Sequence, residues 1–219
     1  SDVYKRQPLF GCQTIHKNDN QLSKQQEILA SQKGLIVNYL NKSVPSMALK
    51  ELRRLMRLHP KDADFQNLMG LTQLAMENPS KASKYFKNSY KINPRTSVAL
   101  NLSSAYIEDG KFLKAIQLLK KVNKDKVSEN YQYPERIFHN IALAAERNRN
   151  HRQAVKYYQV ALSENPNYYL SLMRLGQLYE KSKRPLDAQK TFVKAKNSCP
   201  KCFDPVSYTH LTLPTTPYV

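Results

Sequence analysis

An alanine returns at nearly constant intervals along this chain, and its spacing limits what the chain can fold into. It occurs at intervals of 34, 33, 39 and 34 residues, as Ala48, Ala82, Ala115, Ala154 and Ala188. Four prolines keep the same period: Pro60, Pro94, Pro166 and Pro200. Between them lie small residues (Gly70, Ser103, Ala142, Gly176) and large apolar ones (Leu52, Phe86, Leu119, Tyr158, Phe192). This period predicts pairs of helices that bury their apolar faces against neighbouring pairs.

The spacing and these positions resemble the tetratricopeptide repeat over about residues 27–202. The resemblance implies an all-α fold, a superhelix (α-solenoid) of about five stacked antiparallel helix pairs whose concave face is free to bind another protein. Few glycines and no alternating Val/Ile runs argue against a sheet. A repeat domain of residues 27–204 is predicted, with repeats at about 29–62, 63–95, 96–122, 135–168 and 169–202.

The charge is strongly positive, with 35 basic and 17 acidic residues. Such a balance favours anionic partners, namely phospholipid head groups, acidic protein surfaces, wall polymers or nucleic acid. The alternative is that the lysines only solvate the outer helix faces. Because no nucleic-acid-binding motif accompanies the charge, we predict no nucleic acid partner. No apolar run is long enough to predict a membrane span.

Both ends look foreign to the repeat domain. Residues 2–7 (DVYKRQ) back-translate as GATGTGTATAAGAGACAG, and the reverse complement of that string encodes VSYTHL, the letters found at 206–211. These strings resemble a transposase end sequence used in preparing sequencing libraries. We therefore predict that residues 1–7 and 205–219 are translated adapter and exclude them from the fold.

The letters PLFGC at positions 8–12 resemble the lipobox that ends a bacterial lipoprotein signal peptide. Leu9 lies three residues before Cys12 and Gly11 lies one before it. The resemblance implies cleavage before Cys12, which then carries the acyl chains of a membrane anchor. Gln13 in the following position implies delivery to the outer membrane, on its periplasmic face. The alternative is a buried or linker cysteine with no such role.

Residues 13–26 are polar and lack apolar periodicity. They predict a flexible tether that reaches at most about 50 Å from the anchor.

The segment 123–134 (NKDKVSENYQYP) is longer than the other turns between repeats. Insertions in repeat arrays often lie at a functional face. A lipobox, five repeats and this linker, ending in Tyr133-Pro134-Glu135-Arg136, together resemble the pilotin family of type IV pilus biogenesis. Its members are outer-membrane lipoproteins that bind secretin subunits and assist their localisation and assembly. The resemblance implies a secretin subunit or similar peptide segment as partner.

A binding groove is predicted where the first helix of each pair turns its second, fifth, ninth and twelfth positions inward, as the repeat resemblance implies. An apolar groove with a polar rim suits an amphipathic helix or strand. The alternative is that some of these apolar residues are ordinary core. The predicted groove residues are Val37, Leu40, Asn67, Leu71, Leu74, Leu100, Ser104, Ile107, Arg136, His139, Leu143, Met173 and Gln177.

Other chemistry finds little support in the sequence. Cys199 and Cys202 have the CxxC spacing but follow no strand, so a local disulfide, free thiols and a redox pair all stay open. One such pair supplies too few ligands for a closed zinc site. No nucleophile elbow, P-loop or metalloprotease motif is present. We predict no enzyme, no cofactor, no metal and no small-molecule substrate.

Three functions fit these observations. The first is a lipid-anchored, pilotin-like scaffold. The second is a periplasmic lipoprotein adaptor for cell-wall enzymes, and the third is a generic cytosolic interaction module in which Cys12 has no role.

Overall fold

The structure is a computed structural model that describes residues 12–125 and 130–203. Within these ranges there are ten α-helices, one short 3-10 helix at Pro200–Phe203 and no strand. The α-helices are α1 (Cys12–Asn41), α2 (Pro45–Leu58), α3 (Ala63–Ala75), α4 (Pro79–Ile92), α5 (Thr96–Glu108), α6 (Phe112–Lys124), α7 (Pro134–Arg147), α8 (His151–Glu164), α9 (Tyr169–Lys181) and α10 (Pro185–Ser198).

Local sequence signals determine where several helices begin. Pro45, Pro79, Pro134 and Pro185 stand at the first turn of their helices, where a missing N–H costs no hydrogen bond. Asp62 caps α3, because its Oδ1 accepts hydrogen bonds from the backbone N–H groups of residues 64 and 65 at 2.8 and 3.1 Å. A proline thus begins the second helix in the first, second and fifth pairs and the first helix in the fourth.

The tight turn inside each pair contains one residue with left-handed backbone geometry. In every pair this residue lies five positions before the periodic alanine. Its φ is 56° at Ser43, 57° at Glu77, 70° at Gly110, 60° at Arg149 and 56° at Lys183. A left-handed residue after the last helical residue ends the first helix and reverses the chain.

Each helix packs on the next one along the chain, from α1 to α10. The first helices of neighbouring pairs also touch, α1 with α3, α3 with α5 and α5 with α7. All five periodic alanines are buried, and so are the side chains of Leu52, Phe86, Leu119 and Tyr158. The predicted fold class, an all-α solenoid of stacked helix pairs, is confirmed.

The core consists of two clusters that meet in the third repeat. One joins buried residues of α1 to α5, the other joins buried residues of α5 to α10, and the half-buried Tyr106 packs against both. This arrangement follows from the architecture, since each pair buries its apolar face only against its neighbours.

The structure differs from the predicted tether at residues 13–26, because α1 runs without interruption from Cys12 to Asn41. This segment contains no proline and no glycine before Gly34, and Gln, Lys, Glu and Leu all favour helix. In residues 13–26 a polar sequence without apolar periodicity therefore accompanies a helix and not a flexible tether. The segment continues the first helix of the first pair.

The adapter-like ends and the lipobox residues before Cys12 lie outside the described residues. Lipidation of Cys12 stays a prediction. None of the described helices combines the length and the apolar character needed to cross a membrane.

Candidate functional site

A groove lies along the first helices of the first four pairs, and it contains a cavity of about 290 Å³. Its floor is apolar, with Leu71 and Leu100 almost fully buried, and its walls are polar and charged. The lining residues are Lys33, Val37, Asp64, Asn67, Leu68, Leu71, Arg95, Ser97, Leu100, Asn101, Tyr131, Tyr133 and Arg136.

The long linker between the third and fourth repeats supplies one wall of this groove. The rings of Tyr131 and Tyr133 meet edge to face with centroids 6.0 Å apart. The guanidinium of Arg136 stacks over the Tyr133 ring at 4.6 Å, a favourable cation–π contact. Tyr131 packs against the core and burial raises its pKa, whereas Tyr133 is 45% exposed. The linker thus places one anchored and one accessible aromatic ring over the groove.

An ionic cluster also lines the groove and joins the first two repeats. Lys33 Nζ lies 3.0 Å from Asp62 Oδ2 and 2.9 Å from Asp64 Oδ2, and Arg95 pairs with Asp64 through its Nη2. Burial disfavours the charged form of Asp64, but hydrogen bonds and charges from Lys33 and Arg95 outweigh it and lower its pKa. Burial likewise opposes the charge of Lys33, yet its two carboxylate partners raise its pKa. Lys33 and Asp64 therefore stay charged at neutral pH.

Two asparagines, one in the second repeat and one in the third, form a hydrogen-bonded pair on the groove wall. Asn101 Nδ2 donates a hydrogen bond of 3.1 Å to Asn67 Oδ1 across 34 residues of sequence. Both side chains lie half-buried on the groove wall. Paired carboxamides present donors and acceptors that match a peptide backbone. An extended or helical segment in the groove would meet these groups above an apolar floor.

Arg95 adds a feature typical of a binding surface. Among the described residues its Nε is buried and lacks a hydrogen-bond acceptor, although its Nη2 is paired with Asp64. Because the side chain as a whole is 41% exposed, the guanidinium is accessible to an acceptor that a ligand brings into the groove.

Five of the predicted groove residues line the cavity: Val37, Asn67, Leu71, Leu100 and Arg136. Four others are half-buried and do not line it: Leu74, Ser104, Met173 and Gln177.

Four predicted groove residues lie in the core and not in the groove: Leu40, Ile107, Leu143 and His139. Leu40, Ile107 and Leu143 are 7%, 4% and 6% exposed and belong to the two core clusters. They do not line the cavity, which the rule of fixed positions does not foresee.

His139 is also buried, and the imidazole predicted for the groove is not available there. Its Nδ1 lies 2.9 Å from Ser171 Oγ, and the ring packs between Tyr158 and Tyr168 with centroids 5.4 and 5.3 Å away. Burial, with a smaller effect of Arg174, lowers its pKa to about 3. The histidine is therefore neutral and structural.

Sequence reasoning missed seven polar or aromatic groove residues. Asp64 and Ser97 occupy the second helical position that the repeat rule itself marks, so they could have been included. Tyr131 and Tyr133 lie on a linker, for which the repeat rule makes no statement. The missed residues are Lys33, Asp64, Arg95, Ser97, Asn101, Tyr131 and Tyr133.

The remaining candidate chemistry lies away from the groove. The sulfurs of Cys199 and Cys202 form a disulfide after α10, and Cys202 O accepts a hydrogen bond of 3.4 Å from Tyr169 Oη. Within residues 12–125 and 130–203 no group of three His, Cys, Asp or Glu side chains is arranged to hold a metal ion.

Comparisons with known proteins agree with this architecture. The model of the tetratricopeptide repeat family matches residues 139–196, the fourth and fifth pairs. A search of curated proteins finds no match.

Several solved structures share the fold. The structure of Pseudomonas aeruginosa PilF has a TM-score of 0.69 at 20% identity, and the match covers 79% of this chain and 77% of that one. PilW, described as a widely conserved type IV pilus biogenesis factor, has a TM-score of 0.70 at 14% identity, covering 79% and 78%. MamA from Desulfovibrio magneticus RS-1 has a TM-score of 0.63 at 15% identity, covering 80% and 97%. At these identities the likeness shows the tetratricopeptide-repeat fold of the chain and leaves its partner open.

Proposed function

We propose that this chain is a non-enzymatic, lipid-anchored scaffold that binds a segment of a secretin subunit and assists its localisation and assembly in type IV pilus biogenesis. It works at the periplasmic face of the bacterial outer membrane. The observation that carries the binding role is the groove between the tyrosine linker and the Lys33–Asp64–Arg95 cluster. The pilus assignment is supported by the likeness to PilF and PilW.

The groove offers three kinds of contact to a peptide. Its leucine floor binds apolar side chains, the Asn67–Asn101 pair meets backbone groups, and Tyr133 covers the ligand from the linker side. Aromatic and arginine side chains at the centre of an interface contribute most of its affinity. These contacts suit an amphipathic segment with at least one hydrogen-bond acceptor near Arg95.

The groove assignment can be tested with the variant Tyr133→Ala. This side chain is accessible, so its removal should weaken capture of a purified secretin by tenfold or more, since anchors of this kind contribute about 2 kcal/mol. Leu186→Ala is the matched control, because Leu186 is 71% exposed on α10, outside the groove. Equal capture by both variants, with unchanged helix content, would refute the groove as the binding site.

The anchor requires a separate experiment. In a bacterium with a lipoprotein pathway, a version of the protein preceded by a signal peptide should incorporate labelled palmitate. The variant Cys12→Ser should lose the label and leave the membrane fraction. A label that persists in this variant would contradict the lipidation of Cys12.

The second candidate, an adaptor for cell-wall enzymes, would use the same groove. Pull-down from detergent-solubilised envelopes separates the two. Recovery of a wall hydrolase or synthase that depends on Tyr133, without a secretin, would favour the adaptor. A secretin that assembles normally in cells lacking this protein would exclude the pilotin role.

A further inference from the structure

The positive charge of the protein is divided unequally between the two helices of each pair. The second helices α2, α4, α6, α8 and α10 together contain seventeen lysine and arginine residues but three acidic ones. The first helices α3, α5, α7 and α9 contain four basic and five acidic residues. Because the first helices line the groove, the excess charge lies on the outer face of the solenoid. A function that involves only the groove does not explain this division.

The outer charge is concentrated further in the first three pairs. Counted from the periodic alanine of each second helix, the positions two, five, six and nine residues later point outward. In α2, α4 and α6 ten of these twelve positions are basic and none is acidic, whereas in α8 and α10 three of eight are basic. We call these ten residues the basic face, and all of them are exposed: Lys50, Arg53, Arg54, Arg57, Lys84, Lys87, Lys91, Lys120, Lys121 and Lys124.

The charges of this face are largely unneutralised. Within the described part of the chain, one ion pair involves it, between Arg54 and Glu51 on the same helix at 3.0 Å. Lys120 Nζ lies 5.7 Å from the ring centroid of Tyr157. Asp125 stands at the edge, just after α6. Like charges held together on a rigid surface repel one another, so an anionic partner that relieves this repulsion binds favourably.

Apolar side chains accompany the cations. Leu58 and Ile92 end α2 and α4 beside Arg57 and Lys91, and their side chains are 63% and 47% exposed. Cations next to exposed aliphatic side chains are typical of surfaces that bind at the level of lipid head groups. Nucleic-acid surfaces would instead combine such charge with aromatic rings for base stacking. On this face Tyr90 lies among Lys84, Lys87 and Lys91 but is half-buried, and the one exposed tyrosine of the described residues, Tyr133, lies in the groove.

We infer that the basic face binds the surface of an anionic phospholipid bilayer. The solenoid then lies with its outer side on the membrane and its groove open to the aqueous side. This contact is independent of the groove and of any acyl chain at Cys12. It goes beyond the proposed function, because it orients the scaffold on the membrane as well as attaching it.

The test uses the 219-residue chain with Cys12→Ser, so that no lipid anchor contributes. Co-sedimentation is measured with vesicles of phosphatidylglycerol and phosphatidylcholine, and with vesicles of phosphatidylcholine alone. The test variant carries Lys87→Gln, Lys91→Gln, Lys120→Gln and Lys124→Gln. The control carries Lys156→Gln, Lys190→Gln, Lys194→Gln and Lys196→Gln, which removes the same charge from exposed positions of α8 and α10.

We expect binding to the anionic vesicles only. Since each lysine near such a surface contributes a factor of about five, loss of four lysines should make the test variant bind about six-hundredfold more weakly. The control should lose less than about fivefold, because its lysines lie on α8 and α10, outside the basic face, and salt screens charges that are not held against the membrane surface. Equal losses in both variants, equal binding to uncharged vesicles, or binding to a DNA duplex but not to vesicles would overturn the inference. Tyr133→Ala should leave vesicle binding unchanged, which separates this test from that of the groove.

Discussion

Gly70 on α3 and Phe86 on α4 touch so closely that a Cβ on residue 70 would lie 2.5 Å from the ring atom Cε1 of Phe86. The Phe86 side chain is fully buried. Gly176 on α9 and Phe192 on α10 repeat the arrangement in the fifth pair, where the corresponding distance is 2.6 Å. The ring of the second helix therefore packs directly on the backbone of the first.

The first prediction is that Gly70→Ala destabilises the protein by about 2 kcal/mol, since an overpacked core costs about 1–3 kcal/mol. Gly176→Ala should cost roughly half as much, because Phe192 is half-buried and its ring can move. The free energy of unfolding in urea measures both.

Gly34→Ala is the control for the variants Gly70→Ala and Gly176→Ala. Gly34 lies within α1, and a Cβ there meets nothing within 4 Å. Alanine in place of a mid-helix glycine should therefore stabilise the protein by about 0.5–1 kcal/mol. If Gly70→Ala were as stable as the parent, the close contact would not contribute to the packing.

The second prediction concerns the left-handed turns. Gly110→Ala should destabilise by about 1 kcal/mol, because its φ of 70° is unfavourable for a residue with a Cβ. Arg149→Gly should stabilise the protein, since Arg149 has a φ of 60° in the equivalent turn and glycine adopts such a φ without steric cost. Urea unfolding of both variants gives the sign. A loss of stability in Arg149→Gly would mean that contacts of the side chain outweigh the backbone preference.

The sequence predicts the fold well because the repeat determines it locally. The alanine period recurs in each pair, the glycine–phenylalanine contact recurs in the second and fifth pairs, and a proline begins one helix in four of the five pairs. The same reasoning assigns residues 13–26 to a flexible tether, whereas they belong to α1. A solvated helix lacks the apolar period that identifies a packed helix. Such reasoning also cannot predict the position of the linker, because Tyr131 and Tyr133 are held by contacts with the core, with each other and with Arg136, which the repeat pattern does not encode.

The groove was predicted in part. Asn67, Leu71 and Leu100 follow from the repeat rule, because their helices present the same side in each pair. His139 and Leu143 satisfy the same rule but lie in the core, where Leu143 joins the apolar cluster and His139 packs between two tyrosines. Whether a residue at a groove position is accessible depends on the angle between pairs, which no single repeat encodes.

The third prediction is a coupling between Lys33 and Asp64 across the first two pairs. A double-mutant cycle with Lys33→Gln and Asp64→Asn should give a coupling energy of about 0.5 kcal/mol, the size expected for a partly exposed ion pair. The lowered pKa of Asp64 means that this contribution is present above the ordinary value of 3.8 and is lost as the pH falls through the lowered one. Cycles measured by urea unfolding at pH 7 and near pH 3 check both statements. A coupling energy that is zero at pH 7 would show that the pair does not join the two repeats.

The fourth prediction concerns the buried imidazole of His139. In the folded protein its pKa is about 3, against an ordinary 6.5, so between these values the unfolded chain binds the proton more readily. Stability must therefore fall as the pH drops below 6.5, and His139 should account for about 2 kcal/mol of loss between pH 7 and pH 5.

His139→Gln tests this assignment, because glutamine can keep a hydrogen bond to Ser171 and does not titrate. The variant should lose stability at pH 7 yet show a much flatter dependence on pH than the parent protein. His151→Gln is the control, since His151 is exposed at the start of α8. It should retain the parent's pH dependence in urea unfolding. A parent-like slope in His139→Gln would mean that another group carries the acid sensitivity, and that the imidazole can accept a proton without leaving its site between Tyr158 and Tyr168.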